Sequence, residues 1–100
     1  ATYTPTPEVI IEESARSFQL SGADLRGQSR NKKTAMARQI AMYLMRNLTN
    51  LPLKEIGEEF GGRNHATVLS SIRKVEELLK SDPEIAATVR DITSNINSKN

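Results

Sequence analysis

The sequence predicts an all-α fold, a single domain of six helices that contains a helix-turn-helix, and three observations carry this. Apolar residues recur at spacings of three and four along most of the chain, the period of a helix with one buried face. Residues favoured at helix starts (Thr6-Pro7, Ser21, Asn64, Asp82-Pro83) stand just ahead of four of those stretches. No run of alternating β-branched residues suggests a strand.

Taken in order, Ala1 to Pro5 reads as a frayed linker ahead of a domain that begins after residue 6. Thr6 caps a first helix with Pro7 at its first position, and Ile11, Ala15 and Phe18 give it a buried face. A short second helix has Ser21 as cap and Asp24 three residues on, flanked by Leu20 and Leu25 as a hydrophobic staple, and Gly27 ends it. The third is predicted over Asn31 to Thr49. Met36, Ile40, Leu44 and Leu48 form its apolar stripe, with Arg38, Gln39, Met42 and Arg46 on another side. Leu53, Ile56 and Phe60 mark a short fourth helix starting near Pro52, broken by Gly61-Gly62. The fifth is expected from Asn64 to Lys80 with Val68, Ile72, Val75 and Leu79 inward. The sixth follows Asp82-Pro83 with Ile85, Val89, Ile92 and Ile96 inward, and Asn97 to Asn100 are expected to fray.

One hundred residues suffice for one modest core. With no cysteine there is neither a disulfide nor a thiolate nucleophile, and the single histidine cannot build a zinc site alone. No apolar run approaches the roughly 20 residues that span a bilayer, and no secretory signal is evident, so a cytoplasmic setting is expected. The chain opens on Ala1 rather than Met, as a piece of a longer protein would. Net charge is only +2, but it is unevenly placed. Between Leu25 and Lys54 there is no acid, against seven bases: Arg26, Arg30, Lys32, Lys33, Arg38, Arg46 and Lys54. A charge run is most often just a solvated helix surface. A 30-residue segment free of acids points further, to an anionic partner such as a polyphosphate backbone.

The stretch Leu51 to Val75 reads as a short amphipathic helix, a glycine break and a longer amphipathic helix. Gly57 lies four residues before Gly61; a small residue in the first helix permits close crossing, and glycine permits a tight turn. Any helical hairpin shows as much. What favours a DNA-reading helix-turn-helix is the polar first turn of the fifth helix: Arg63, Asn64, His65, Ala66 and Thr67 combine donors, acceptors and methyl surface suited to base edges. Asn64, Thr67, Ser71 and Lys74 continue along one stripe at helical spacing. Asn64 also suits a plain N-cap, and His65 a surface position, since no nucleophile or paired carboxylate accompanies it. Arg30 precedes the third helix in a glycine- and serine-containing stretch; it reads either as a solvated loop residue or as a minor-groove finger.

These residues, above all Ala37 to Val68 (ARQIAMYLMRNLTNLPLKEIGEEFGGRNHATV), resemble the C-terminal DNA-binding domain of the DnaA family of bacterial replication initiators, and the similarity runs from about Pro7 to Ile96. The resemblance implies a six-helix fold that binds double-stranded DNA as a monomer, at asymmetric origin boxes resembling TTATCCACA. It implies base contacts from Arg30, Asn64, His65, Ala66 and Thr67. Phosphate contacts are expected from Lys32, Lys33, Arg38, Gln39, Arg46, Lys54, Arg63, Ser71 and Lys74, with Arg63 also orienting the turn. Asn64 stands where many members carry aspartate, Ala66 where many carry threonine or serine, and Lys54 where some have proline. No cofactor or metal is expected in this domain. There is no G-x-x-x-x-G-K-[ST] loop, so ATP would be bound by an upstream module of the parent. A weak contact with acidic lipid in the parent, and a place at the nucleoid, complete what the resemblance implies.

The main rival is a helical protein-interaction module. It shares the acid-free segment but calls for an exposed apolar or aromatic anchor where this sequence has polar residues. A general repressor is the second rival; it would read palindromes as a dimer.

Overall fold

A computed structural model describes residues 4–99. The six helices are α1 (Pro7–Arg16), α2 (Gly22–Arg26), α3 (Lys32–Leu48), α4 (Leu53–Glu59), α5 (His65–Ser81) and α6 (Pro83–Asn97), and the described residues contain no strand. Each expected helix is present, with boundaries within about two residues of those read from the sequence, and each expected cap occupies its place. Thr6, Asn31, Asn64 and Asp82 accept backbone N–H bonds at their helix starts. Ser21 and Asp24 form a reciprocal capping box, at 2.9 and 3.2 Å. The Ser21 backbone N–H, then its hydroxyl, hold the Asp24 carboxyl below its ordinary pKa.

α3 is the central element and packs against α1, α2, α4 and α5, while α6 closes over α1 and α5. The core unites Ile10 and Ile11 of α1, Leu25 of α2, Ile40, Ala41, Met42, Leu44 and Met45 of α3, Ile56 and Phe60 around α4, Val68, Ile72 and Val75 of α5, and Val89, Ile92 and Ile96 of α6. Each of the large apolar side chains among them contributes about 1.5–3 kcal/mol by leaving water.

The structure corrects the sequence reading in several places. Met42, expected on another side of α3 from the apolar stripe, is buried, because a helix packed on four neighbours hides more than one stripe. Phe18 lies beyond the end of α1 and is only half-buried; the chain turns there at Gln19, whose φ is +56°. Of the expected linker, Ala1 to Tyr3 lie outside the described residues, while Pro5 is buried and lines a groove with Thr49, Leu51 and Pro52. Of the expected frayed tail, Asn97 still closes α6 and Lys99 reaches the buried Glu13 of α1 at 3.3 Å; Asn100 lies outside the described residues.

The break between α4 and α5 depends on two glycines in the left-handed region, Gly61 at φ +77° and Gly62 at φ +83°. It depends also on Gly57, whose carbonyl accepts from Phe60, Gly62 and Arg63 N–H groups at 3.1, 3.0 and 3.0 Å. A Cβ at Gly57 would overlap the Arg63 carbonyl oxygen, so the chain folds back at that point only over glycine. Around Gly62 a Cβ would meet nothing within 4 Å, leaving only backbone strain as an obstacle. Gly57→Ala should therefore cost more than about 2 kcal/mol and Gly62→Ala about 1 kcal/mol. Urea unfolding of both variants checks the order, and equal costs would remove the close-approach argument.

Candidate nucleic-acid interface

The first turn of α5 presents Asn64, His65, Ala66 and Thr67 to solvent, while Val68, Ile72 and Val75 hold the opposite side in the core. Asn64 acts as the cap: its Oδ1 accepts the Thr67 N–H at 2.9 Å, which leaves the amide N–H groups for an outside partner. The burial pattern fixes which face of α5 is free. Ser70, Arg73 and Lys74 are exposed with Ala66, whereas Ser71 is turned inward and only 9% exposed. The phosphate contact expected of Ser71 is thus reassigned. Its side chain lies on the flank of the buried stripe, one position round from the free face. Ser70 and Arg73 were missed by the sequence reading. The spacing of Val68, Ile72 and Val75 carried the signal, since Ser70 lies opposite the stripe and Arg73 well away from its centre on a helical projection.

Arg30, Lys32 and Lys33 are exposed at the entrance to α3, as are Arg46 near its end and Lys54 on α4. Arg46 donates to the Leu51 carbonyl at 3.2 Å across the α3–α4 link and keeps its remaining N–H groups outward. Gln39 is half-buried, with its Oε1 enclosed and without a donor. Lys74 is exposed one turn beyond Ser70.

Arg38 is the main correction. It was expected to face phosphate, yet it is 7% exposed and its guanidinium is spent inside the fold. Its Nε donates to the Leu25 carbonyl at 2.7 Å, Nη1 to Ser29 at 3.1 Å, and Nη2 to Asp24 at 3.3 Å and Gly27 at 3.2 Å. The physical reason is that α2 is a single short turn whose terminal carbonyls have few helical donors, only that of Asp24 receiving the Gly27 N–H, and a forked donor from α3 satisfies several acceptors there at once.

Arg63 works from the other side. It donates to the Phe60 carbonyl and, at 2.7 Å, to the same Gly27 carbonyl that Arg38 uses. Burial, with the nearby Arg63 charge, lowers the Arg38 pKa from its ordinary value, and burial lowers that of Arg63; both stay cationic at any physiological pH. Arg26 adds a third tie, through Nε to the Glu59 carbonyl at 3.3 Å and an ion pair with the Glu59 carboxylate at 3.7 Å.

Three arginines thus tie the end of α2 and the loop after it, through Ser29, to α3, to the end of α4 and to the turn ahead of α5. Arg30 follows directly on that loop. The site can present cations and neutral hydrogen-bonding groups to an extended anionic partner. It contains no cluster of three or more His, Cys, Asp or Glu side chains placed to hold a metal, among the described residues. No helix of the described chain is long and apolar enough to cross a membrane.

This geometry defines a class first: a helical domain built around a helix-turn-helix, α4–turn–α5, with an exposed polar reading turn. The family profile described as "Bacterial dnaA protein helix-turn-helix" matches residues 7–75, and the chain belongs to that family. It is 46% identical over 94 residues to the chromosomal replication initiator protein DnaA of Crocosphaera subtropica, 46% over 92 residues to that of Nostoc punctiforme, and 46% over 90 residues to that of Lactiplantibacillus plantarum. These alignments cover 94%, 92% and 90% of this chain and 21%, 20% and 20% of the relatives, so the chain spans about a fifth of their length.

Arg38→Ala should lower unfolding free energy by about 3 kcal/mol, through orphaned carbonyls and a cavity. Arg46→Ala, at an exposed site, should stay within about 0.5 kcal/mol of the parent. Chemical denaturation decides, and a neutral Arg38→Ala would return that side chain to the surface role first expected.

Proposed function

We propose that this chain binds double-stranded DNA at asymmetric boxes resembling TTATCCACA, as the origin-binding domain of a bacterial replication initiator acting at the nucleoid. α5 enters the major groove by its N-terminal turn and Arg30 reaches the minor groove. The observation that carries the reading is the exposed polar turn Asn64 to Thr67, which stands next in space to the root of the loop bearing Arg30, with Lys32 and Lys33 following in the first turn of α3. Asn64, His65, Ala66 and Thr67 read base edges or adjacent phosphates; Lys32, Lys33, Arg46, Lys54, Lys74 and Gln39 position the backbone, joined by Ser70 and Arg73. Arg38 acts from within the fold and the half-buried Arg63 from its edge, and their charges, in no ion pair among the described residues, add to the positive potential of this face.

The domain acts as a monomer, because an asymmetric box offers no twofold axis. Nucleotide binding is assigned to chain outside it. None of the large hydrophobic side chains among the described residues is fully exposed, and the first turn of α5 offers none, which speaks against the anchor that a protein-interaction helix uses.

Titration of a labelled box duplex and a scrambled duplex tests the proposal directly. Affinity for either should fall steeply with salt, with each neutralised phosphate adding about −0.9 to the log–log slope. Lys32→Ala should weaken both duplexes alike, whereas Arg30→Ala should weaken the box more. Equal affinity for box and scrambled duplex, or a slope near zero, would overturn the reading.

Asn64→Asp is the sharpest local test. A carboxylate only accepts hydrogen bonds and repels phosphate, so it favours the cytosine amino group; asparagine retains donors for other bases. The substitution should sharpen discrimination at one base pair by about 1 kcal/mol and lower affinity for random duplex. Single-base-pair variants of the box, titrated with both proteins at one salt concentration, measure it. An unchanged preference at every position would leave Asn64 as the helix cap alone.

A further inference from the structure

We infer that Arg63 is a positioning residue that sets the register between the Arg30 loop and the reading turn of α5, so that the two grooves are read by one rigid unit. The inference rests on the DNA reading above and extends it to a side chain that need touch no DNA.

Four observations converge. Arg63 is the residue just before the α5 cap, and its guanidinium bridges two backbones: Phe60 at the end of α4 and Gly27 in the loop leading to Arg30. Gly27 lies three residues before Arg30, and its carbonyl also receives the Arg38 guanidinium at 3.2 Å. Arg38 further holds the Ser29 carbonyl at 3.1 Å, immediately before Arg30, and the Asn31 N–H donates to Ser29 Oγ at 3.2 Å. A Cβ at Gly61 would lie 2.6 Å from the Arg26 carbonyl, so the turn ahead of α5 already rests against this loop. The segment that bears Arg30 is therefore anchored at its root on both sides, to α3 through Arg38 and to the helix-turn-helix through Arg63.

The chemistry requires arginine. A lysine at 63 keeps the charge but offers one compact ammonium, which cannot span two carbonyls with the planar geometry of a guanidinium. Losing the bridge frees the loop to move against α5. The entropy of fixing Arg30 is then lost at binding instead of being settled in folding. Register, rather than charge, is what the substitution removes.

The test is a double-mutant cycle on the box duplex with Arg30→Ala, Arg63→Lys and the pair, with thermal melts confirming that each variant is folded. If Arg63 positions Arg30, the Arg30→Ala loss shrinks in the Arg63→Lys background, with a coupling of about fivefold in Kd or more. Additive losses that fall equally on box and scrambled duplex would make Arg63 a phosphate contact and overturn the inference.

A second measurement needs no variant. One base pair is inserted at each successive step of the box and the parent protein is titrated against the set. A fixed register predicts that insertion between the two contacted grooves lowers affinity to about the scrambled level, whereas a loosely held arm predicts tolerance within about threefold. Tolerance at every step would overturn the inference while leaving DNA binding intact. Failure of the DNA reading itself shows differently, as a parent protein that does not separate box from scrambled duplex.

Discussion

The Gly27 carbonyl, shared by Arg38 and Arg63, is the point on which the arrangement of the site depends. α2 is only five residues long and cannot stabilise itself; its terminal carbonyls must find donors. Arg38 reaches them from the centre of α3 and Arg63 from the helix-turn-helix. A neutral donor could satisfy one acceptor, but a guanidinium satisfies several in one plane, so Arg38 and Arg63 sit at this junction on carbonyls, with no ion pair to either among the described residues.

That solution has an electrical consequence. Burying a cation against carbonyl dipoles leaves its net charge uncancelled, so the junction remains positive. The same segment is free of acids from Leu25 to Lys54. Structural cations inside and solvated cations outside therefore act in one direction, and a polyanion experiences both. The division of labour differs all the same: exposed Lys32, Lys33 and Lys54 are free to follow a phosphate, while Arg38 is fixed.

α3 explains the robustness of the frame. Four neighbouring helices lean on it, and its fully buried Ile40, Ala41 and Met45 leave no slack for a shift. The helix-turn-helix then adds its own constraint at Gly57, where α4 admits the backbone of residue 63 so closely that no side chain fits. α5 is held by its apolar side and by this crossing, and its first turn is left bare because nothing else in the fold covers it.

The sequence by itself determined the six helices, their caps and the exposed reading turn. These rest on local rules: Ser21 with Asp24, Asn31, Asn64 and Asp82-Pro83 act within one turn of their own positions, and Val68, Ile72 and Val75 state the buried face of α5 through period alone. Only the tertiary structure decided that Arg38 and Met42 face inward and that Pro5 and Lys99 are held against the body of the domain. In each case the deciding partner is distant in the chain: the carbonyls 9 to 14 residues away for Arg38, Glu13 for Lys99, the Thr49–Pro52 link for Pro5. A charged side chain reads as solvated until the acceptors that enclose it are placed, and no local pattern carries the position of a carbonyl contributed by another helix.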